Sequence, residues 1–392
     1  MKTQTNSGLR LNPRLPQIER QRLVDLYQRF AKPNEVWLAS SGSSRAPGDS
    51  LKLVALSAQG LAVAAQSVNQ FLSVDPKKDQ WLLVLPDFHV GGVMIQIRAQ
   101  VAGISVHQPE NWQWDPHRFV NLVSETGTTL TSLVPTQLHD LVQAGLQCPR
   151  TLRVVLLGGA ALDRSLAARA HSLGWPVLAG YGMTETCALV ASQEPGHFQD
   201  VERKLVVLPH VTARVTSEQI LELKGDSLFR MSVQEVQVGD RLETQVVEPP
   251  SGHYWATSDC GHLQEDSAGR QILEVIGRSS DFVKIRGEGV SLERLRELLR
   301  RLIQSQPHRL ADWEILALPH PRLGHELHLV YENAAFREFW QNLIEQFNSQ
   351  VLPFERLEKL HPCPRLPRTA LGKVDFLNLR QWLIQSDVDL RR

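Results

Sequence analysis

The sequence predicts an α/β protein with a large N-terminal domain of parallel sheets flanked by helices plus a β-rich subdomain, and a small α+β C-terminal domain. Three observations carry this. Short apolar runs alternate with helix-spaced stretches from Glu35 to Ser192, the order of β-α units on a parallel sheet. After Pro195 the texture changes to shorter alternating segments separated by Gly and Pro, the mark of a β-rich subdomain. From near Ser280 a glycine loop, a well-marked helix and two further strands rebuild a small mixed unit, and 392 residues suffice for two or three cores.

In chain order, Ile18, Leu23, Leu26, Tyr27 and Phe30 fall near helical spacing, and Pro33 ends that helix. Glu35–Ala39 reads as a strand running into Ser40-Ser41-Gly42-Ser43-Ser44 and on to Lys52. Hydroxyls, freed backbone N–H groups and a lysine suit phosphate oxygens, although a Ser-rich surface loop has the same composition and the Gly-Lys-Ser/Thr ending of a Walker loop is absent. Leu56–Phe71 reads as a helix and Trp81–Leu85 as a buried parallel strand ending in Pro86-Asp-Phe-His89-Val-Gly-Gly92. Open α/β sheets place ligands at that end of a strand, while a lone His89 equally suits packing. Strand 128–134, helix 135–144, strand 152–157 ending in Gly158-Gly159, and helix 163–173 continue the series.

The next strand, Trp175–Ala179, runs into Gly180-Tyr181-Gly182-Met183-Thr184-Glu185. Two glycines permit a tight turn around an aromatic, and Thr184 and Glu185 then open a helix. Such a turn suits stacking of a base, bonding of a phosphate and holding of a divalent ion; a plain capped β-to-α connection reads the same way. In the β-rich part, Asp259 follows two hydroxyl residues and precedes Gly261, as a ribose acceptor or a turn cap would. Gly277-Arg278 opens a turn, a short strand and the glycine loop Arg286-Gly287-Glu288-Gly289, before the helix from Ser291. Strands 314–318 and 326–331, helix 335–348, the cationic loop Pro367–Lys373 and a last helix complete the chain.

Composition narrows the partners. Lys plus Arg and Asp plus Glu both number 42, so a balanced charge gives no electrostatic reason to expect nucleic acid or an anionic membrane. No run approaches the roughly 18 apolar residues of a transmembrane segment, and the polar Met1–Gln17 stretch lacks a secretory core. The four cysteines are far apart and form no Cys-x-x-Cys pair, as in a cytoplasmic protein with reduced thiols.

The order of these motifs resembles the adenylate-forming superfamily of acyl-CoA synthetases, luciferases and peptide-synthetase adenylation domains, from about Glu35 to about Arg380. Within it, 132–138, 156–160 and 181–186 look most like the branch that joins o-succinylbenzoate to CoA in menaquinone and phylloquinone biosynthesis. The resemblance implies ATP, Mg2+ and CoA as reactants or cofactor, with a small carboxylic acid as partner. It implies that Lys373 bridges carboxylate and α-phosphate, that Ser40–Ser44 and Lys52 hold the leaving phosphates, and that Thr184 bonds the α-phosphate. Glu185 would hold Mg2+, Tyr181 and Gly182 would pack against adenine, and Gly158, Gly159 and Ala160 would line the base and acyl pockets. Asp259 and Arg278 would hold the ribose, His89 would stand beside the acyl carboxylate, and Arg286, Gly287 and Gly289 would line the pantetheine path.

It also implies a mobile C-terminal domain at 280–392 turning about Ser280 and Asp281, after a large domain at 1–279 with a reduced N-terminal segment at 1–34 and a β-rich subdomain at 196–279. The phosphate loop departs from the family at Arg45, where glycine is usual, and in several extra residues before Lys52. A ligase for another aromatic or short-chain acid, and a nucleotide-binding homologue without catalysis, remain open on the sequence.

Overall fold

The computed structural model describes residues 8–40, 52–159, 162, 164–196, 204–238, 241–278, 282–285, 288–304, 312–320, 323–368 and 374–390. The chain divides into two compact units. One holds Ala46–Thr257 and Gly261–Val275 with the start of the chain; the other holds Ile276–Arg392 with the stretch Ser258–Cys260.

The first unit is built on parallel strands in the spatial order Val106–His107, Trp81–Leu82, Leu130–Leu133, Val154–Leu157 and Val177–Met183. Leu130–Leu133 and Val154–Leu157 are buried throughout, which is why they read as continuous apolar runs rather than alternating ones. Leu82, Leu133, Val155 and Leu157 face Phe119, Leu138 and Trp175 from the helices and loop on one side. Trp81, Leu130, Leu156 and Leu178 face Val68, Ile95 and Ala99 on the other. Helices Ala58–Phe71 and Val90–Ala102 therefore cover one face, while Pro116–Thr126 and Pro135–Gln143 cover the other. Local chemistry sets their ends: Asp115 accepts a hydrogen bond from the Arg118 N–H at 2.7 Å, Pro116 follows it, and Gly127 ends that helix at φ 65°.

Antiparallel strands continue this sheet through Ala188–Ser192, Leu205–Val207, Gln271–Arg278, Trp255–Glu265, Ile220–Lys224 and Thr212–Val215. A second sheet runs Leu9–Arg10, Glu35–Ser40, Lys52–Ser57, Met231–Val238, Arg241–Val247. The second unit pairs Phe282–Ile285 with Glu288–Ser291 and builds a separate sheet of Trp313–His320, Gly324–Glu332 and Lys359–Cys363. Leu295 and Leu299 of helix Leu292–Gln304 and Trp340 and Phe347 of helix Arg337–Asn348 pack with Ile315 and Leu329. Leu379 and Leu383 of helix Phe376–Leu390 pack with Leu316 and Val330, so helices cover both faces. Among the described residues no helix is long and apolar enough to cross a membrane.

Several expectations change. The segment read as a helix from Leu56 starts only at Ala58, where Ser57 caps it by accepting from the Gly60 N–H; Lys52–Ser57 before it is a strand. The supposed turn at Gly180–Gly182 is the continuation of strand Val177–Met183, with a register shift between Tyr181 and Gly182. No α-helix follows Thr184: one 3-10 turn, Thr184–Thr186, reverses the chain into the antiparallel strand Ala188–Ser192. Asp259 and Gly261 lie inside a long strand rather than at a turn. Helix Val90–Ala102 escaped the sequence because Gly91 and Gly92 lower helix propensity and its nearly unbroken apolar run hides the period. A Cβ on Gly92 would lie 2.2 Å from the Pro86 carbonyl oxygen, so the glycine lets this helix begin tight against the preceding loop.

Candidate nucleotide and acid site

The Tyr181–Glu185 segment has its shape because of close backbone approach. A Cβ on Gly182 would stand 1.6 Å from the Ala188 carbonyl oxygen, and one on Gly180 would stand 2.3 Å from Leu189 Cδ1. Beyond the 3-10 turn, Cys187 and Ala188 both occupy the left-handed region, at φ 54° and 75°. Non-glycine residues pay for that conformation in steric strain. Thr186 offsets it: its hydroxyl accepts from the Met183 N–H at 3.2 Å and lies 3.0 Å from the Ala188 carbonyl. The Phe229 N–H donates to the Glu185 carbonyl at 2.7 Å, tying the corner to the neighbouring loop.

That corner aims Glu185 at Lys52. The carboxylate is 7% exposed and forms an ion pair with the ammonium of Lys52. Lys52 is placed there by pairing with Ser40 at the open end of the hairpin Glu35–Ser40/Lys52–Ser57, so the segment between them begins and ends at paired strand residues. The Ser40 hydroxyl is shielded from solvent and has no hydrogen-bond partner among the described residues. An orphaned hydroxyl, a lysine and a buried carboxylate fit a phosphate–metal group. Magnesium keeps most of its waters and takes one or two carboxylates plus substrate phosphates, so Glu185 alone would suffice to hold it, although no group of three acidic, His or Cys side chains forms a metal cage among the described residues.

The neighbouring strand ends carry the other predicted residues. The Gly158 N–H donates to the Leu133 carbonyl at 3.3 Å, and Gly159 stands at φ 87° beside Val134. Leu157 pairs with Ala179, which sets these glycines beside the strand leading to Tyr181. His89 is the N-cap of helix Val90–Ala102, half-buried, with its ring centroid 4.6 Å from that of Phe88. Lys52, Thr184, Glu185, Tyr181, Gly158, Gly159 and His89 are thus held on the first unit. Asp259 is half-buried on strand Trp255–Glu265, and Gly289 pairs with Lys284 on the second unit's hairpin. Ser41, Gly42, Ser43, Ser44, Ala160, Arg286, Gly287 and Lys373, with the Arg278 side chain and the hinge residues Ser280 and Asp281, lie outside the described residues.

One residue, Arg98, was not singled out from the sequence. Arg98 of helix Val90–Ala102 is 3% exposed and lies over the Trp81 ring at 5.9 Å, with its Nε shielded from solvent and without a hydrogen-bond partner among the described residues. Burial alone pushes its guanidinium down to about 10. On the same sheet face, Ser132 is buried with its hydroxyl unsatisfied. A lone charge in an otherwise apolar stretch, Val93-Met-Ile-Gln-Ile-Arg98-Ala, was the available signal.

Comparison with known proteins defines the class first. Residues 50–226 match the AMP-binding enzyme family, and the chain resembles the adenylate-forming superfamily. The particular likeness is to 2-succinylbenzoate–CoA ligases. That of Bacillus licheniformis is 25% identical over 322 residues, 76% of this chain and 60% of the relative. That of Staphylococcus epidermidis is 36% identical over 303 residues, 75% of this chain and 59% of the relative. The alignment thus spans about 60% of the length of these curated relatives. The fold matches o-succinylbenzoate CoA synthetase from Bacillus subtilis in complex with its acyl-adenylate intermediate, with a TM-score of 0.73 at 19% identity, over 95% of this chain and 78% of that one. It also matches ATP-bound MatB from Rhodopseudomonas palustris, with a TM-score of 0.70 at 22% identity, over 88% of this chain and 67% of that one.

Proposed function

We propose that this chain is an AMP-forming acid–thiol ligase that activates o-succinylbenzoate with ATP and transfers the acyl group to CoA, as in menaquinone and phylloquinone biosynthesis. The observation that carries the reading is the ion pair of the buried Glu185 with the half-buried Lys52, beside the Ser40 hydroxyl that has no partner among the described residues. The choice of acid rests on the likeness to 2-succinylbenzoate–CoA ligases.

In the first half-reaction a carboxylate oxygen attacks the α-phosphorus, and the bond to pyrophosphate breaks. Negative charge gathers on the phosphate oxygens, where positioned cations and N–H groups stabilise it. Lys373 takes the attacking carboxylate and the α-phosphate; Thr184 donates to the α-phosphate; Lys52 with Ser40–Ser44 takes the leaving phosphates. Glu185 would hold magnesium, whose charge would offset that of the phosphates when bound. Tyr181 and Gly182 pack on adenine, Gly158, Gly159 and Ala160 line the base and acyl pockets, and Asp259 and Arg278 hold the ribose. His89 stands beside the acyl carboxylate.

In the second half-reaction the CoA thiol attacks the acyl carbonyl and AMP leaves. The small domain, 280–392, turns about Ser280 and Asp281 so that Arg286, Gly287 and Gly289 line the pantetheine path. A cytoplasmic setting agrees with four cysteines that form no disulfide, Cys187, Cys260 and Cys363 being buried. Pyrophosphate release over a panel of acids with ATP and Mg2+, followed by mass analysis after addition of CoA, tests the reading. Thioester from o-succinylbenzoate is expected; thioester only from another acid removes the named substrate, and no turnover with any acid leaves a nucleotide-binding protein without catalysis.

A further inference from the structure

The chain reaches the segment that carries Lys373 through Pro362-Cys363-Pro364-Arg365-Leu366-Pro367-Arg368. Pro362, Pro364 and Pro367 have no N–H to give, so ladder bonds alone cannot hold this run after strand Lys359–Cys363. Side chains take over. Glu332 ends strand Gly324–Glu332 in register with Cys363, and its Oε1 accepts the Leu366 N–H at 2.7 Å. Its own N–H donates to the Asp312 carbonyl at 2.9 Å, and the Asp312 carboxylate forms an ion pair with Arg368. Asp312 and Glu332, joined through their backbones, thus hold positions 366 and 368.

The exit from the segment is held as well. Arg368 bridges Val374, which follows Lys373 directly, and the Asp375 N–H donates to the Pro367 carbonyl at 2.8 Å. The Asp375 carboxylate accepts the Asn378 N–H at 3.2 Å, at the start of helix Phe376–Leu390. The guanidinium of the buried Arg296, itself paired with Glu314, lies over the Phe376 ring at 5.6 Å. The apolar core of the unit is made by other residues, and an exposed ion pair such as Asp312–Arg368 adds little to the stability of a fold. What these contacts can do is fix the neck from which Lys373 projects, and a lysine that must meet both reacting groups depends on that: a misplacement of about 1 Å can cost about 100-fold in rate.

We infer that Glu332 and Asp312 are positioning residues for Lys373 in the first half-reaction. The inference rests on the reading of the chain as an AMP-forming ligase and deepens it. Glu332→Ala leaves the Leu366 N–H without this acceptor and is expected to slow pyrophosphate release by about 10-fold or more, with thioester formation from supplied acyl-adenylate and CoA within about 2-fold of wild type. Asp312→Ala is expected to slow the same step alone. Glu332→Gln keeps a carbonyl acceptor and is expected to recover most of the rate. Equal slowing of both half-reactions, unchanged pyrophosphate release, or no rescue by glutamine would overturn the inference. Limited trypsin digestion reads the neck without turnover. Cleavage after Arg368 and Lys373, identified by the masses of the C-terminal fragments, is expected to quicken in Glu332→Ala relative to cleavage elsewhere and to return towards wild type in Glu332→Gln. Quickening spread over the whole chain, the mark of a merely structural role, counts against the inference, as does unchanged cleavage. A wild type that turns over no acid counts against the ligase reading alone.

Discussion

Glu185 has one buried carboxylate and two claimants for it, Lys52 and the proposed metal. Glu185→Gln keeps the shape and removes the charge, so pyrophosphate release is expected to fall by about 100-fold or more, with a higher Mg2+ requirement. A titration of activity against Mg2+ reads both; an unchanged Mg2+ requirement would remove Glu185 from the metal. At another residue the controlling variable is pH. His328, buried in the second unit, stacks on His361, with Nδ1 and the His361 Nε2 3.0 Å apart, and its Nε2 lies 3.1 Å from Glu326, which also holds Lys359. Burial first, then the charge of His361, push it down to about 4 from 6.5, against the pull of Glu326. A depressed histidine stabilises the fold fully above pH 6.5 and loses that contribution as pH falls from 6.5 towards 4. Urea denaturation across that window is expected to show a decline on the order of 2 kcal/mol that His328→Phe flattens. Sequence reached the chemistry-bearing types at Lys52, Thr184 and Glu185 because charged and hydroxyl residues between glycines are conspicuous. It missed Arg98 because what distinguishes it is its burial with an unsatisfied Nε among the described residues, which only the packed fold displays.

At the scale of elements, the amphipathic helix Pro135–Gln143 and the strands Leu130–Leu133 and Val154–Leu157 were legible, since Pro at a helix start and unbroken apolar runs report local geometry directly. The Tyr181–Glu185 corner was not. Glycines flanking an aromatic read as a turn, yet here they let two antiparallel strands approach too closely for any side chain. The same geometry separates two substitutions that look alike. Gly182→Ala drives a methyl into the Ala188 carbonyl and is expected to cost at least about 2–3 kcal/mol, with loss of nucleotide binding. Ala188→Gly relieves a left-handed alanine at φ 75° and is expected to stay within about 1 kcal/mol of wild type, on the stabilising side. Thermal melts and ATP titrations of the two variants check this; a comparable loss in both would mean that the corner is not strained in the way the backbone angles imply.

At the scale of the whole molecule, the proposed chemistry divides between the two units. Lys52, Thr184 and Glu185 belong to the first, whereas Lys373 belongs to the second by its place in the chain. A lysine needed only while the carboxylate attacks phosphorus has no work once the acyl-adenylate exists. Lys373→Ala is therefore expected to slow pyrophosphate release by several orders of magnitude while largely sparing thioester formation from supplied acyl-adenylate and CoA. Rapid-quench assays of the two half-reactions measure this separately. A second-unit residue acting through general stability would depress both steps together, so equal losses would contradict a site that exchanges its lysine loop for the Arg286–Gly289 loop between steps. A selective loss in the first step, with the reverse selectivity for bulky substitutions at Gly289, would require two arrangements of the same pair of units around one bound adenylate.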